Sequence, residues 1–81
     1  MTRYYLDIRD GKQLLHDDEG TAFDSLDAVM QGTARSAVEI GAGRLAKGDT
    51  SDVVIEVRDE RGQRVLTVTA SMKIDWHIPQ P

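Results

Sequence analysis

The chain has 81 residues, 40% of them hydrophobic, no cysteine and a formal net charge of −4. That length fits one domain over residues 1–81, with residues 76–81 as a tail, and it allows only a modest core, so a partner that covers surface is an expected aid to stability. The missing cysteines exclude a disulfide framework and thiolate metal sites, and the acidic balance is the reverse of the basic stripe with which nucleic-acid binders neutralise phosphates.

The negative excess is local. Residues 1–27 carry seven acids against three bases, and residues 28–81 carry seven of each. Met1 to Arg9 contains no apolar run preceded by basic residues, so neither a signal peptide nor a transmembrane span is expected, and the default location is the cytoplasm.

Arg3 to Arg9 alternates Tyr4, Leu6 and Ile8 with Tyr5, Asp7 and Arg9, the period of a strand with one buried face. Asp10-Gly11 then signals a hairpin. Gln13 to Asp17 returns as a second strand carrying Leu14 and Leu15, Asp18-Glu19-Gly20 turns again, and Thr21 to Phe23 extends toward a helix. That helix starts at Asp24 or Ser25, either of which can cap it, with Asp24 and Asp27 resembling a weak capping box at the positive end of the dipole. Leu26, Val29, Met30, Thr33, Ala37, Ile40 and Gly41 fall on one arc, opposite Asp27, Gln31, Arg35 and Glu39. The helix spans Ser25 to about Ala46, with fraying expected from Gly41 because interior glycines weaken helices. After a polar loop, Val53 to Arg58 reads as the third strand, Asp59 to Gly62 as a hairpin turn, and Arg64 to Asp75 as a long fourth strand in which Leu66, Val68, Ala70, Met72 and Ile74 alternate with Val65, Thr67, Thr69, Ser71 and Lys73. Pairing should stop before Pro79 and Pro81, which cannot donate to a ladder.

The fold class that follows is α+β, ββαββ: a four-stranded, mainly antiparallel sheet with one helix packed on one face. Leu6-Asp7-Ile8-Arg9-Asp10 matches Ile55-Glu56-Val57-Arg58-Asp59 in type and precedes a glycine turn in both places. Convergent hairpin chemistry is the simpler explanation, and two halves about a pseudo-two-fold axis the other. The axis favours the strand order 2-1-3-4, fully antiparallel; its rival is 2-1-4-3, with the outer strands of the chain parallel at the centre.

The opening Arg3-Tyr4-Tyr5-Leu6-Asp7-Ile8-Arg9-Asp10-Gly11, then Asp17-Asp18-Glu19-Gly20, Ser25-Leu26 opening an Ala-rich helix, and Ile55-Glu56-Val57-Arg58-Asp59 resemble a family of short proteins common in rhizobia and other alphaproteobacteria, a domain of unknown function. The resemblance runs from Arg3 to about Met72, and the opening strand with its Asp-Gly turn is its most specific part. Gly32, Gly41 and Gly43 make this helix richer in glycine than the family, and the Trp76 tail is particular to this chain. The resemblance implies a bacterial, cytoplasmic protein and assigns no catalytic residue.

His16-Asp17-Asp18-Glu19 is the densest group of possible metal ligands, but it lacks the alternating twelve-residue spacing of a calcium loop, and a solvated acidic turn accounts for it better. His16 and His77 lie near strand ends. Ser25, Ser36, Ser51 and Ser71 have no nucleophile-elbow context, and Gly41-Ala42-Gly43 is no phosphate cradle. No catalytic, cofactor-binding or metal-binding residue is assigned, and no cofactor is implied. Asp7 with Arg9 and Glu56 with Arg58 are expected to form a charged cross-strand ladder on the outer face, and Tyr4, Tyr5 and Trp76 are candidates for an aromatic patch suited to protein contacts. The leading functional expectation is a small non-enzymatic protein-interaction module that associates with itself, as a homodimer, or with another protein. The alternative is a small regulatory protein of antitoxin or nucleic-acid-associated type, and an enzyme ranks third.

Overall fold

The computed structural model describes residues 1–79; the Pro81 at which strand pairing was expected to fail lies outside them. The elements run β1 (Thr2–Asp10), β2 (Gln13–Leu15), β3 (Thr21–Phe23), α1 (Leu26–Leu45), β4 (Val53–Arg58) and β5 (Arg64–Ala70). The sheet is fully antiparallel in the order β2-β1-β4-β5, with β3 also paired to β1. In the four-strand numbering of the sequence this is 2-1-3-4, and the parallel 2-1-4-3 order is excluded.

The strand count is five rather than four, because Thr21–Phe23 does more than lead into the helix. It pairs with Thr2–Tyr4, while β2 pairs with Ile8–Asp10. Together β2 and β3 form one interrupted edge along β1, broken by His16–Gly20 opposite Tyr5–Asp7. Both β3 and β4 run antiparallel to β1, so they are parallel to each other and α1 makes the crossover between them.

The central ladder carries the internal similarity. Asp7 lies opposite Glu56, Leu6 opposite Val57 and Ile8 opposite Ile55. Those are the positions the matched pentapeptides exchange under a local two-fold axis through the Asp7–Glu56 pair. The same axis exchanges Arg9 with Arg58, and the ion pairs follow it: Arg58 reaches Asp7 at 2.9 Å and Arg9 reaches Glu56 at 3.9 Å. The expected ladder of charges is therefore diagonal rather than directly across.

Ser25 is the helix N-cap; its Oγ accepts from the Ala28 N–H at 3.0 Å. Asp27 sits in the first turn and accepts from Gln31 Nε2 one turn later. The helix does not fray at Gly41. Gly41 is buried, and a Cβ there would stand 2.7 Å from Met72 Sδ, so the glycine is what lets β5's extension close on the helix. Arg44, in the last turn, is anchored between Asp10 and Asp49. The chain leaves through a Schellman turn, in which the Asp49 N–H donates to the Arg44 carbonyl and the Gly48 N–H to that of Leu45.

Val29, Thr33, Ala37 and Gly41, each four residues on from the last, are buried against Val53, Ile55 and Val57 of β4, with Leu6, Ile8, Ile40, Val68, Ala70 and Met72 packed around them. Leu26 and Met30, expected in this core, are instead 50% and 39% exposed. The four-residue row drifts slowly about the helix axis, so the positions one residue past it (Met30, Ala34, Val38) lie along the flank beside β5, where the sheet ends. The Thr33 hydroxyl has no hydrogen-bond partner among the described residues. β5 stops at Ala70, not Asp75, because Ala70 pairs with Val53, the first residue of β4, and among the described residues no strand lies beyond it.

Candidate interaction surface

The outer sheet face carries one concentrated polar cluster, centred on the break in the edge strand. Where Leu6 of β1 has no neighbouring strand on that flank, Asp17 supplies the missing acceptor: its Oδ2 takes the Leu6 N–H at 3.0 Å. Its Oδ1 takes the N–H groups of Glu19 and Gly20 at 3.2 and 2.9 Å, which folds the acidic turn back on itself. Gly20 adopts φ +72°, and a Cβ there would lie 2.9 Å from the Tyr4 carbonyl oxygen, so only glycine closes this turn. The Asp17 N–H donates in turn to Asp7 Oδ1 at 3.0 Å.

Arg58 ties the cluster together. Its Nε donates to Asp7 Oδ2 at 2.9 Å, its Nη2 to the Asp17 carbonyl at 2.6 Å, and its guanidinium lies 4.7 Å from the Tyr5 ring centre. His16 stands between them, Nδ1 3.2 Å from Asp7 and Nε2 3.0 Å from Arg58 Nη2.

Burial pushes the Asp7 carboxyl upward, but the Arg58 hydrogen bond and charge, the Asp17 N–H and His16 outweigh it and hold Asp7 below the usual carboxylate range. Asp17 is held low in the same way: burial raises it, and the N–H groups of Leu6, Gly20 and Glu19 with Arg58 more than compensate. Asp49 is lowered to about 2 by the Ser51 N–H and hydroxyl and by Arg44. Groups whose folded pKa is depressed contribute stability that is complete above the unfolded value and lost as pH falls through the folded one. The urea midpoint, followed by circular dichroism, is therefore expected to drop as pH falls from about 4 toward 2. A midpoint flat across that range would contradict these carboxylate contacts.

The cluster spends its donors and acceptors on its own backbone. The acidic turn, read from the sequence as a solvated hairpin end, uses Asp17 as a structural clasp on backbone N–H groups, and among the described residues no group of three or more His, Asp or Glu side chains is placed to hold a metal ion. His77 lies on the exposed tail, apart from His16. Ser25 caps the helix and Ser51 bonds Asp49. The three aromatics do not form a patch: Tyr4 faces the helix side with Phe23, ring centres 6.3 Å apart, Tyr5 stacks on Arg58 on the outer face, and Trp76 lies alone on the tail. The clasp went unread in the sequence, although the spacing Asp17-x-x-Gly20 is that of an Asx-type turn.

Unspent surface lies at the opposite edge. Among the described residues no strand flanks β5, and the β5 side of α1 exposes Leu26, Met30, Val38 and Leu45. Two grooves open there, each of about 360 Å³. One lies by the helix start, between Tyr4, Leu26 and Val65 and the Asp59–Arg61 turn. The other lies near the helix end, walled by Val38, Leu45, Ala70 and Met72.

The model of the family described as Domain of unknown function (DUF6894) matches residues 3–71. The chain belongs to the DUF6894 family. The match takes in the clasp, the helix and both hairpins, and it ends one residue past β5, so the apolar tail lies beyond the DUF6894 region. Comparison with curated proteins and with solved structures gave no match. Among the described residues no helix is long and apolar enough to cross a membrane.

Proposed function

We propose that this DUF6894 chain is a non-enzymatic protein-interaction module of the bacterial cytoplasm that associates with itself through the β5 edge. One observation carries the reading. The chain exposes 5838 Å², whereas a folded monomer of 9.0 kDa is expected to expose about 4,900 Å². The difference is close to the roughly 800 Å² that each partner contributes to a standard interface. Exposed Leu26, Met30, Val38 and Val65 lie on or beside β5, while Leu14 and Leu15 lie at the β2 edge, and the outward residues in the middle of β5, Thr67 and Thr69, are uncharged, with Arg64 at its start held by Glu56.

The alternative, an antitoxin-type or nucleic-acid-associated regulator, calls for a free basic face. Three arginines of the outer face are instead engaged with acids, Arg58 with Asp7, and Arg9 and Arg64 with Glu56, and Arg3 is spent on the Glu19 and Gly20 carbonyls.

Sedimentation equilibrium at micromolar to hundred-micromolar concentrations tests the reading. The expected result is a dimer mass for the native chain and a shift toward monomer for Thr69→Lys, which sets a charge in the middle of the edge. A monomer throughout, unchanged by Thr69→Lys, would remove it.

A further inference from the structure

We propose that two copies pair β5 to β5, antiparallel about a two-fold axis near Ala70, and exchange residues 73–78, each arm seating its Trp76 in the groove at the other copy's helix start. This rests on the self-association reading and names its geometry. The arm continues the face of β5 that meets the helix: after Leu66, Val68, Ala70 and Met72 come Ile74, Trp76 and Ile78, which are 39%, 53% and 68% exposed. Laid against a second strand, a segment with every second residue apolar is half of a packed surface. The chain's radius of gyration is 14.8 Å, against about 12 Å for a compact chain of this length, as a projecting arm requires.

The arm cannot reach the groove of its own chain. Trp76 follows Val65, on the groove wall, by eleven residues, about 36 Å of extended backbone directed away from it. A second copy removes the difficulty. With the axis at Ala70, Met72 stands opposite Val68 of the other copy and Ile74 opposite Leu66, and because Val65 is the extra residue of a bulge, Asp75 then falls opposite Arg64 and Trp76 opposite Gln63. Like faces meet in an antiparallel pair, so Ile74 and Trp76 arrive on the helix side, beside the second copy's Leu26, Met30 and Val65.

The groove suits an indole. Tyr4, Leu26 and Val65 provide apolar walls, Asp59 and Glu60 can accept from the indole N–H, and Arg61 can lie over the ring. A bulge at Val65 leaves Arg64 on the outer face, where it bonds Glu56 at 2.8 Å and stands next to Asp75 of the incoming arm. Closure about a two-fold axis pairs both edges at once and leaves none to propagate.

Trp76 is the only tryptophan, so the full chain carries its own probe. Its emission is expected to shift to shorter wavelength as concentration rises through the dimerisation midpoint seen by sedimentation. Trp76→Ala, which changes only the arm, should raise the dissociation constant about 30-fold or more, the equivalent of losing a hot-spot contact of about 2 kcal/mol. Leu26→Asp, in the groove and half exposed, should weaken the dimer and also abolish the emission shift, with the far-ultraviolet circular dichroism of the fold retained. A dimer whose emission stays that of exposed indole, and which Trp76→Ala leaves unchanged, would overturn the exchanged arm while leaving self-association standing. A monomer at all concentrations would overturn both.

Discussion

Ile55→Ala is expected to destabilise the chain by about 2–5 kcal/mol. Ile55 is fully buried at the centre of the sheet, flanked by Ile8 on β1 and Val68 on β5, and the helix covers it with Ala37. Truncation removes three carbons from a site fixed on three sides by hydrogen-bonded strands and on the fourth by a helix, so little collapse into the void is open to it. A domain of this length has about 4–12 kcal/mol in all, and the loss is a large share of that. Urea unfolding followed by circular dichroism, at one fixed protein concentration because self-association moves the midpoint, should show a marked fall. Val54→Ala, on the outer face of the same strand, should cost clearly less. An unchanged midpoint for Ile55→Ala would mean that the core lies elsewhere.

Asp17→Ala is expected to cost about 1.5–3 kcal/mol, the range for a hydrogen bond to a charged group whose loss leaves a donor unmet. Among the described residues the carboxylate is the only acceptor for the Leu6 N–H, and it also holds the Glu19 and Gly20 N–H groups that close the turn. Asp17→Asn keeps one acceptor oxygen and presents an amide N–H₂ where the other stood, so about half of the loss or more should remain. Asp18, next in sequence, is 86% exposed and reaches only His16, at 3.6 Å. Asp18→Ala should therefore stay within about 0.5 kcal/mol of the native chain. Equal losses at the two positions would show that the clasp is a matter of net charge and not of Asp17's geometry.

The contrast between Asp17 and Asp18 marks where sequence reading stopped. The strand β1, a helix start at Asp24 or Ser25 and the β4–β5 hairpin were legible because each is written in a local period or a turn residue, whereas the strand order stayed open between 2-1-3-4 and 2-1-4-3 because pairing across the helix leaves no local mark. The clasp was not, since four acidic and titratable residues in a row look alike until a partner strand ends beside one of them. Leu26 and Met30 were placed in the core because their spacing fits the arc, but a four-stranded width of sheet cannot reach under the whole arc of a helix. Gly41 suggested a frayed end by its propensity, and Met72, distant in sequence, reverses that by packing on it. The end of β5 was misplaced for a related reason: alternation continues through Ile78, whereas pairing depends on how far β4 extends.

The central ladder has a kinetic consequence. The β1–β4 seam joins groups 51 positions apart, as in Arg58 and Asp7, whereas β1 with β2 and β4 with β5 are each closed by a short local turn. Closing the longer loop costs entropy before any contact across it repays the cost. The two hairpins can form on their own, each with a half-made apolar face, and the step that commits the chain is their meeting along Leu6, Ile8, Ile55 and Val57. Until that seam zips, β1 and β4 are both open edges with matched alternation, and under a crowded chain concentration the β4 of one molecule is as good a template for another's β1 as for its own.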